Sequence, residues 1–194
     1  LLRSSHDCIV TSSKTVIKDN PSLNCRIMGI ENRSPVRIVL DKNLKPAKMK
    51  WNYSPTWAKQ PLNIINARSE TLHEKPSFKN TERCIFIADG YFEWMRTNNS
   101  KTPYFHYFER DLMYFGGLYN SSSGCCIVTR ESYKNISFIH HRQPVLLEEH
   151  NFDSWISKNH RYTSPATDQI KFHKVSIRVN SPYNNGAENL IEIK

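Results

Sequence analysis

Short runs in which apolar or β-branched residues alternate with polar ones follow one another along most of this chain. Val36 to Leu40 is the first, and Asp41-Lys42-Asn43 closes it as a turn. Arg83 to Ile87 leads into Asp89-Gly90, a dipeptide that favours a tight turn. Tyr91 to Trp94, Pro103 to Phe108, Leu112 to Tyr119 and Cys125 to Thr129 follow, each bounded by Gly, Asn, Ser or charged residues. Phe172 to Val179 reads as a late strand. Leu146 to Lys158 carries the best helical period, with Phe152, Trp155 and Ile156 on one face. Residues 1–24 are weakly patterned, and no internal repeat is present. The expected class is α+β, mainly antiparallel β, with a barrel-like core and a few short helices. A chain of 194 residues suits one domain spanning 1–194.

Composition narrows the partners. Hydrophobic residues make up 38% of the chain, enough for a packed core, which argues against a disordered chain. Lys and Arg number 27 against 18 Asp and Glu, a net charge of +9 that favours an anionic partner, most commonly nucleic acid. No apolar run reaches the ~18 residues of a membrane span, and the first residues lack a secretory apolar stretch. The five cysteines, Cys8, Cys25, Cys84, Cys125 and Cys126, are odd in number and irregularly spaced. They match neither a disulfide framework nor a zinc site, so no metal or other cofactor is expected. A reducing intracellular compartment follows. Cys125 and Cys126 are adjacent in a strand-like run and should face opposite ways.

Four segments hold residues with chemical potential. Trp51 and Trp57 bracket Pro55 among Lys48, Lys50 and Lys59, and can either stack on splayed bases or fill the core. In Asn66-Ala67-Arg68-Ser69-Glu70-Thr71, an extended backbone puts Asn66, Arg68 and Glu70 on one face. That row can grip a phosphate through Arg68 or form a solvated cross-pair. Glu93 lies between Phe92 and Trp94. If apolar surroundings enclose it, its pKa rises toward the range of a proton shuttle; the alternative is an exposed strand carboxylate. His140 and His141 beside Arg142 suit acid–base work or phosphate contact, or simply end a basic loop. A cysteine hydrolase built from Cys84 or Cys125 with His140 is a further reading.

The order and spacing of these segments are more telling than any one of them. Trp-x-x-x-Pro-x-Trp, Asn-Ala-Arg-x-Glu-Thr, Ala-Asp-Gly-Tyr-Phe-Glu-Trp and Ile-His-His-Arg-x-Pro closely resemble the SOS-response-associated peptidase (SRAP) family. Phe172-His173-x-Val175-Ser176, Val179-Asn180 and Asn185-Gly186-Ala187-Glu188 are similar to that family's C-terminal segment. The likeness covers about residues 45–192. It implies binding of single-stranded DNA and a covalent thiazolidine crosslink to an abasic site. It also implies removal of an initiator methionine at the same site. By motif, Asn66, Glu93 and His140 would be catalytic. Arg68 and Arg142 would hold phosphates, Thr129 would contact the strand, Trp51 and Trp57 would lie near splayed bases, and Trp94 would support Glu93. The resemblance further suggests a monomer with no membrane partner, placed in a nucleus or in a bacterial cytoplasm or nucleoid.

The thiazolidine needs an amine and a thiol on one residue, which only an N-terminal cysteine supplies. The family opens Met-Cys-Gly-Arg; here Cys8 is followed by Ile9-Val10 and its nitrogen is in a peptide bond. Asn24-Cys25-Arg26 departs from the family's Tyr-Asn-x-x-Pro, and Pro35 lies too far along to replace that proline. The expectation is a missing native N-terminus; the alternative is a non-catalytic single-strand-binding relative without the nucleophile.

Overall fold

The computed structural model describes residues 38–40, 42–98, 100–109, 111–158, 169–181, 183, 184 and 186–194. Cys8, Cys25, Pro35, Val36, Arg37 and Asn185, and the expectations that rest on them, lie outside the described residues.

Among the described residues, eleven strands form two sheets. The larger holds β1 (Ile38–Leu40), β2 (Pro46–Lys48), β3 (Asn66–Arg68), β4 (Glu82–Ala88), β7 (Met113–Asn120), β8 (Gly124–Glu131), β9 (Arg142–Pro144) and β10 (Leu146–Leu147). Its path runs β2-β1-β4-β7-β8-β3, with β10 beside β7 and β9 beside β8. The smaller sheet is β11 (Ile170–Lys174), β6 (Lys101–Phe108) and β5 (Gly90–Arg96). One short α-helix, α1 (Phe152–Ile156), and several 3-10 turns complete the described elements, so the class is α+β weighted to β. Pairing is antiparallel except for β3 with β8. Among the described strands the larger sheet is an open path rather than a closed barrel.

The larger sheet is covered on both faces. On one, Ile85, Leu118, Cys126, Val128 and Leu147 pack with Tyr53, Phe78 and the α1 tryptophan, Trp155. On the other, Cys84, Phe86, Phe115 and Cys125 pack with Tyr91, Phe108 and Phe172 from the smaller sheet. Cys125 and Cys126 thus do face opposite cores, as alternation along a strand requires. The Trp155 indole donates to the Cys84 carbonyl at 2.9 Å. Gly116 makes room for that ring, because a Cβ there would stand 2.6 Å from its edge.

Three sequence expectations give way. The helix is confined to Phe152–Ile156, because Leu146 and Leu147 pair with Phe115 and Tyr114 of β7 instead. Phe152, Trp155 and Ile156 still share the buried side. The late strand ends at Lys174, and Ile177–Asn180 coils into a 3-10 turn capped by the Ser176 hydroxyl. Asp89-Gly90 makes no hairpin: β4 and β5 lie in different sheets, and Asp89 is the corner between them. Gly90 is needed there because a Cβ would collide with the His106 carbonyl oxygen and the Phe105 ring.

Candidate active site and nucleic-acid interface

Strand β8 organises the region where the motifs meet. Thr129 lies opposite Arg68 of β3 on one side and Pro144 of β9 on the other, while Glu131 lies opposite Arg142. On β3 the alternation is exposed Asn66, buried Ala67, exposed Arg68. The period then breaks: Ser69–Thr71 is a 3-10 turn, so Glu70 leaves the expected row. The turn swings its carboxylate onto Arg142, which donates from Nη1 and Nη2 to the two oxygens at 2.8 and 2.9 Å. Arg142 Nη2 also donates to the Thr129 carbonyl at 2.7 Å. The Arg142 hydrogen bonds hold the Glu70 carboxyl down at about 2, against partial burial. Arg142 is therefore a clamp between the segment carrying Asn66 and Arg68 and the loop carrying His140.

His140 faces Glu93. The Glu93 carboxylate stands 3.5 Å from His140 Nδ1. Burial raises the Glu93 pKa, opposed chiefly by His140 and more weakly by the Trp94 backbone amide, Arg96 and Lys101. His140 Nδ1 also lies 2.9 Å from the Arg142 carbonyl and 3.2 Å from the Arg142 N–H. A protonated Nδ1 donates to the carbonyl or to Glu93; an unprotonated Nδ1 accepts from the N–H. Nδ1 thus has a partner in place whether or not it carries the proton.

Behind Glu93 is a buried aromatic stack absent from the sequence reading. Tyr91, two residues earlier on β5, stacks on His106 with centroids 4.6 Å apart and meets Phe115 edge-on. Burial raises the Tyr91 hydroxyl pKa, with the Glu93 charge adding to the effect. His106 is 1% exposed, and burial lowers its pKa to about 4, so it is neutral at physiological pH. The Tyr91 hydroxyl and His106 Nδ1 are both enclosed without a hydrogen-bond partner among the described residues. The sequence hint was the period of two that puts Tyr91 and Glu93 on one strand face.

The two tryptophans of the first motif part company. Trp51 packs edge-on against Phe86 at 5.7 Å beside the second core. Trp57 is 61% exposed, whereas Trp51 is half-buried. Trp94 donates from its indole to Asn180 Oδ1 at 2.7 Å, and Lys101 sits 4.7 Å over its ring. Thr129 is buried, and its hydroxyl donates to the Ala67 carbonyl at 3.4 Å. Exposed Phe138 on the His140 loop meets Tyr104 and Phe172 edge-on and was not singled out by sequence. Cys84, Cys125 and Cys126 are buried free thiols; burial pushes Cys84 well up and Cys126 up to about 12, which withholds the thiolate a hydrolase needs. Among the described residues, no group of three or more His, Cys, Asp or Glu side chains could hold a metal ion. No helix among them is long and apolar enough to cross a membrane.

Comparison with known proteins follows the same motifs. The family model described as SOS response associated peptidase (SRAP) matches residues 5–182. "Abasic site processing protein YoqW" of Bacillus subtilis is 36% identical over 176 residues, covering 77% of each chain. "Abasic site processing protein HMCES" of Gallus gallus is 28% identical over 191 residues, covering 75% of this chain and 57% of its own length. A crystal structure of a protein from Bacteroides thetaiotaomicron shares the fold with a TM-score of 0.69 at 19% identity, over 81% of each chain. The chain belongs to the SOS response associated peptidase (SRAP) family.

Proposed function

We propose that this chain, acting as one domain and as a monomer, recognises abasic sites in single-stranded DNA and processes them at Glu93 and His140. The observation that carries this reading is a carboxyl raised by burial and set 3.5 Å from an imidazole, on the far side of an Arg clamp from exposed Asn66 and Arg68. Relatives named abasic site processing proteins support the choice of substrate.

The ring-opened sugar of an abasic site presents an aldehyde. Where the native chain opens with a cysteine, the α-amine of that residue adds to the aldehyde carbon, giving a carbinolamine. Glu93, holding a proton, donates it to the hydroxyl, which leaves as water while the imine forms. The thiol sulfur then bonds to the imine carbon, the nitrogen takes up a proton, and the five-membered ring closes. The net change is aldehyde plus aminothiol to thiazolidine plus one water. His140 assists opening of the sugar, and Asn66 orients the oxygen by hydrogen bonding. Arg68 is the phosphate contact of choice, since the Arg142 fork is engaged by Glu70. Trp57 offers its exposed face to an unstacked base.

The test joins an N-terminal cysteine to this chain and incubates it with an abasic single-stranded oligonucleotide, followed by a denaturing gel. A covalent band is expected, and Glu93→Gln should slow its formation about 100-fold, the range of general acid–base catalysis. Trapping at full rate by Glu93→Gln removes the assigned role. Salt-sensitive binding with no adduct leaves a single-strand-binding module in its place.

A further inference from the structure

A second concave region lies away from the Glu93–His140 contact. A cavity of about 570 Å³ lies on the Trp155 side of the larger sheet, beginning at Leu72, two residues past Glu70. Its floor is apolar, from buried Leu72, Phe78 and Leu118. Its rim is cationic, from Lys75, Lys79, Arg83 and Lys158, with Glu74 the one acidic lining residue. None of these residues contributes to the Glu93–His140 contact.

Three of the four cations form no ion pair with a described carboxylate. Half-buried Arg83 stacks on the Trp155 ring, 4.0 Å from its centroid, and meets no carboxylate among the described residues. A desolvated guanidinium of that kind is normally paired, because burial penalises an uncompensated charge. Lys75 and Lys79 likewise form no ion pair with a described carboxylate. Lys158 follows α1 with a φ of 61°, in the left-handed region where glycine is usual. Its Nζ donates to the Thr81 carbonyl at 3.1 Å and lies 3.4 Å from Glu82, which holds the amine at the cavity mouth. Only that one cation of the four is neutralised.

An apolar floor under a cationic rim fits an aromatic heterocycle joined to an anion. We propose that this cavity binds a phosphorylated nucleoside unit. The base lies against Leu72 and Phe78, and the phosphate is met by Arg83, Lys75 and Lys79. The unit has two sources: a nucleotide of the strand held at Arg68, in which case the inference rests on the proposed function, or a free nucleotide.

The test titrates the full chain and the Lys75→Gln/Lys79→Gln variant with undamaged single-stranded oligonucleotides of about 5 and 12 nucleotides at several salt concentrations, and separately with AMP. Both lysines are exposed, so the variant should fold as the parent does. If the strand supplies the unit, the variant loses the 12-mer's affinity advantage, and its salt slope falls by about 0.7, one single-strand phosphate contact. The 5-mer is little affected. If a free nucleotide supplies it, AMP binds the parent with 1:1 stoichiometry, and the variant and Arg83→Gln weaken it about tenfold or more. Unchanged 12-mer slopes together with no AMP binding to the parent overturn the proposal. Abasic trapping on the 5-mer by the cysteine-extended chain reports on Glu93 and His140 separately, so either reading can fail while the other stands.

Discussion

Replacing Glu70 with Gln removes the charge that Arg142 grips while keeping the side chain's size. Arg142 anchors the His140 loop to β8 and to the turn after Arg68, so the clamp should show as both stability and placement. The Glu70 carboxyl is held at about 2 against an ordinary value of 4.5, a difference worth about 3 kcal/mol without screening. Its side chain is 49% exposed, so solvent screens most of that, and about 1 kcal/mol should survive. The Arg142 side chain is only 18% exposed and would lose its carboxylate, which adds to the cost and brings the expected loss to about 1–2 kcal/mol. The native carboxyl is depressed, so its stabilisation is complete above the unfolded value of 4.5 and is lost as pH falls through about 2. Urea unfolding of parent and Glu70→Gln at pH 7, 4 and 2 reads this directly. At pH 7 the midpoints should differ by about 0.5–1 M, given a slope of about 2 kcal/mol per molar. The gap should shrink by pH 4 and close near pH 2. Equal midpoints at pH 7, or a gap undiminished at pH 2, would refute the clamp.

Two further expectations concern the site itself. Burial raises Glu93 in the folded state, so the native protein holds that proton to higher pH than the unfolded chain and loses stability as pH rises above the unfolded value. Glu93→Gln should therefore be more stable than the parent at pH 8 and equal to it near pH 4; thermal melts at the two pH values decide. Trp57→Ala should weaken undamaged single-stranded DNA by about 1–3 kcal/mol, one stacked base, with the melting temperature unchanged because the ring is exposed. Fluorescence anisotropy with a labelled oligonucleotide checks it, and unaltered affinity removes Trp57 from the interface.

The strands were legible because their side chains answer to local alternation: every run singled out from Arg83 to Thr129 matches a strand, with Leu112 alone falling just outside one. The helix was legible only in its later part, because Leu146 and Leu147 continue the helical period of Phe152, Trp155 and Ile156 while pairing with β7. No local pattern reveals that Asp89 turns a corner between sheets; that depends on what each strand finds to pair with. At the site, the neighbours of Glu93 foretold its raised pKa, although Tyr91 and His106 form the stack behind it. The Glu70–Arg142 pair spans 72 positions and arises only because the strand gives way to a turn after Arg68. The Trp51 and Trp57 roles separate for a similar reason, since Trp51 bridges to Cys125 and so reaches the core.

The buried cysteines serve the site in a way that separates fold from chemistry. A one-residue slip of β8 would exchange Cys125 and Cys126 between the two cores and move Thr129 away from Arg68 and Pro144. The alternation of the whole strand, Cys126 and Val128 into one core and Cys125 and Ile127 into the other, thus fixes the register that lines up β3 and β9. Cys84, on β4, fills the same core as Cys125 and is 0% exposed, with its thiol pKa pushed well up by burial. Cys84→Ala removes one buried sulfur and should cost about 1 kcal/mol through the cavity it leaves. It should not change the trapping rate per folded molecule, since a protonated, enclosed thiol has no route to a substrate carbon. Trapping kinetics on the cysteine-extended protein, normalised to the folded fraction from circular dichroism, make the comparison. Abolished activity in fully folded Cys84→Ala would show that the thiol reacts, and would move the chemistry from the Glu93–His140 pair to the interior of the sheet.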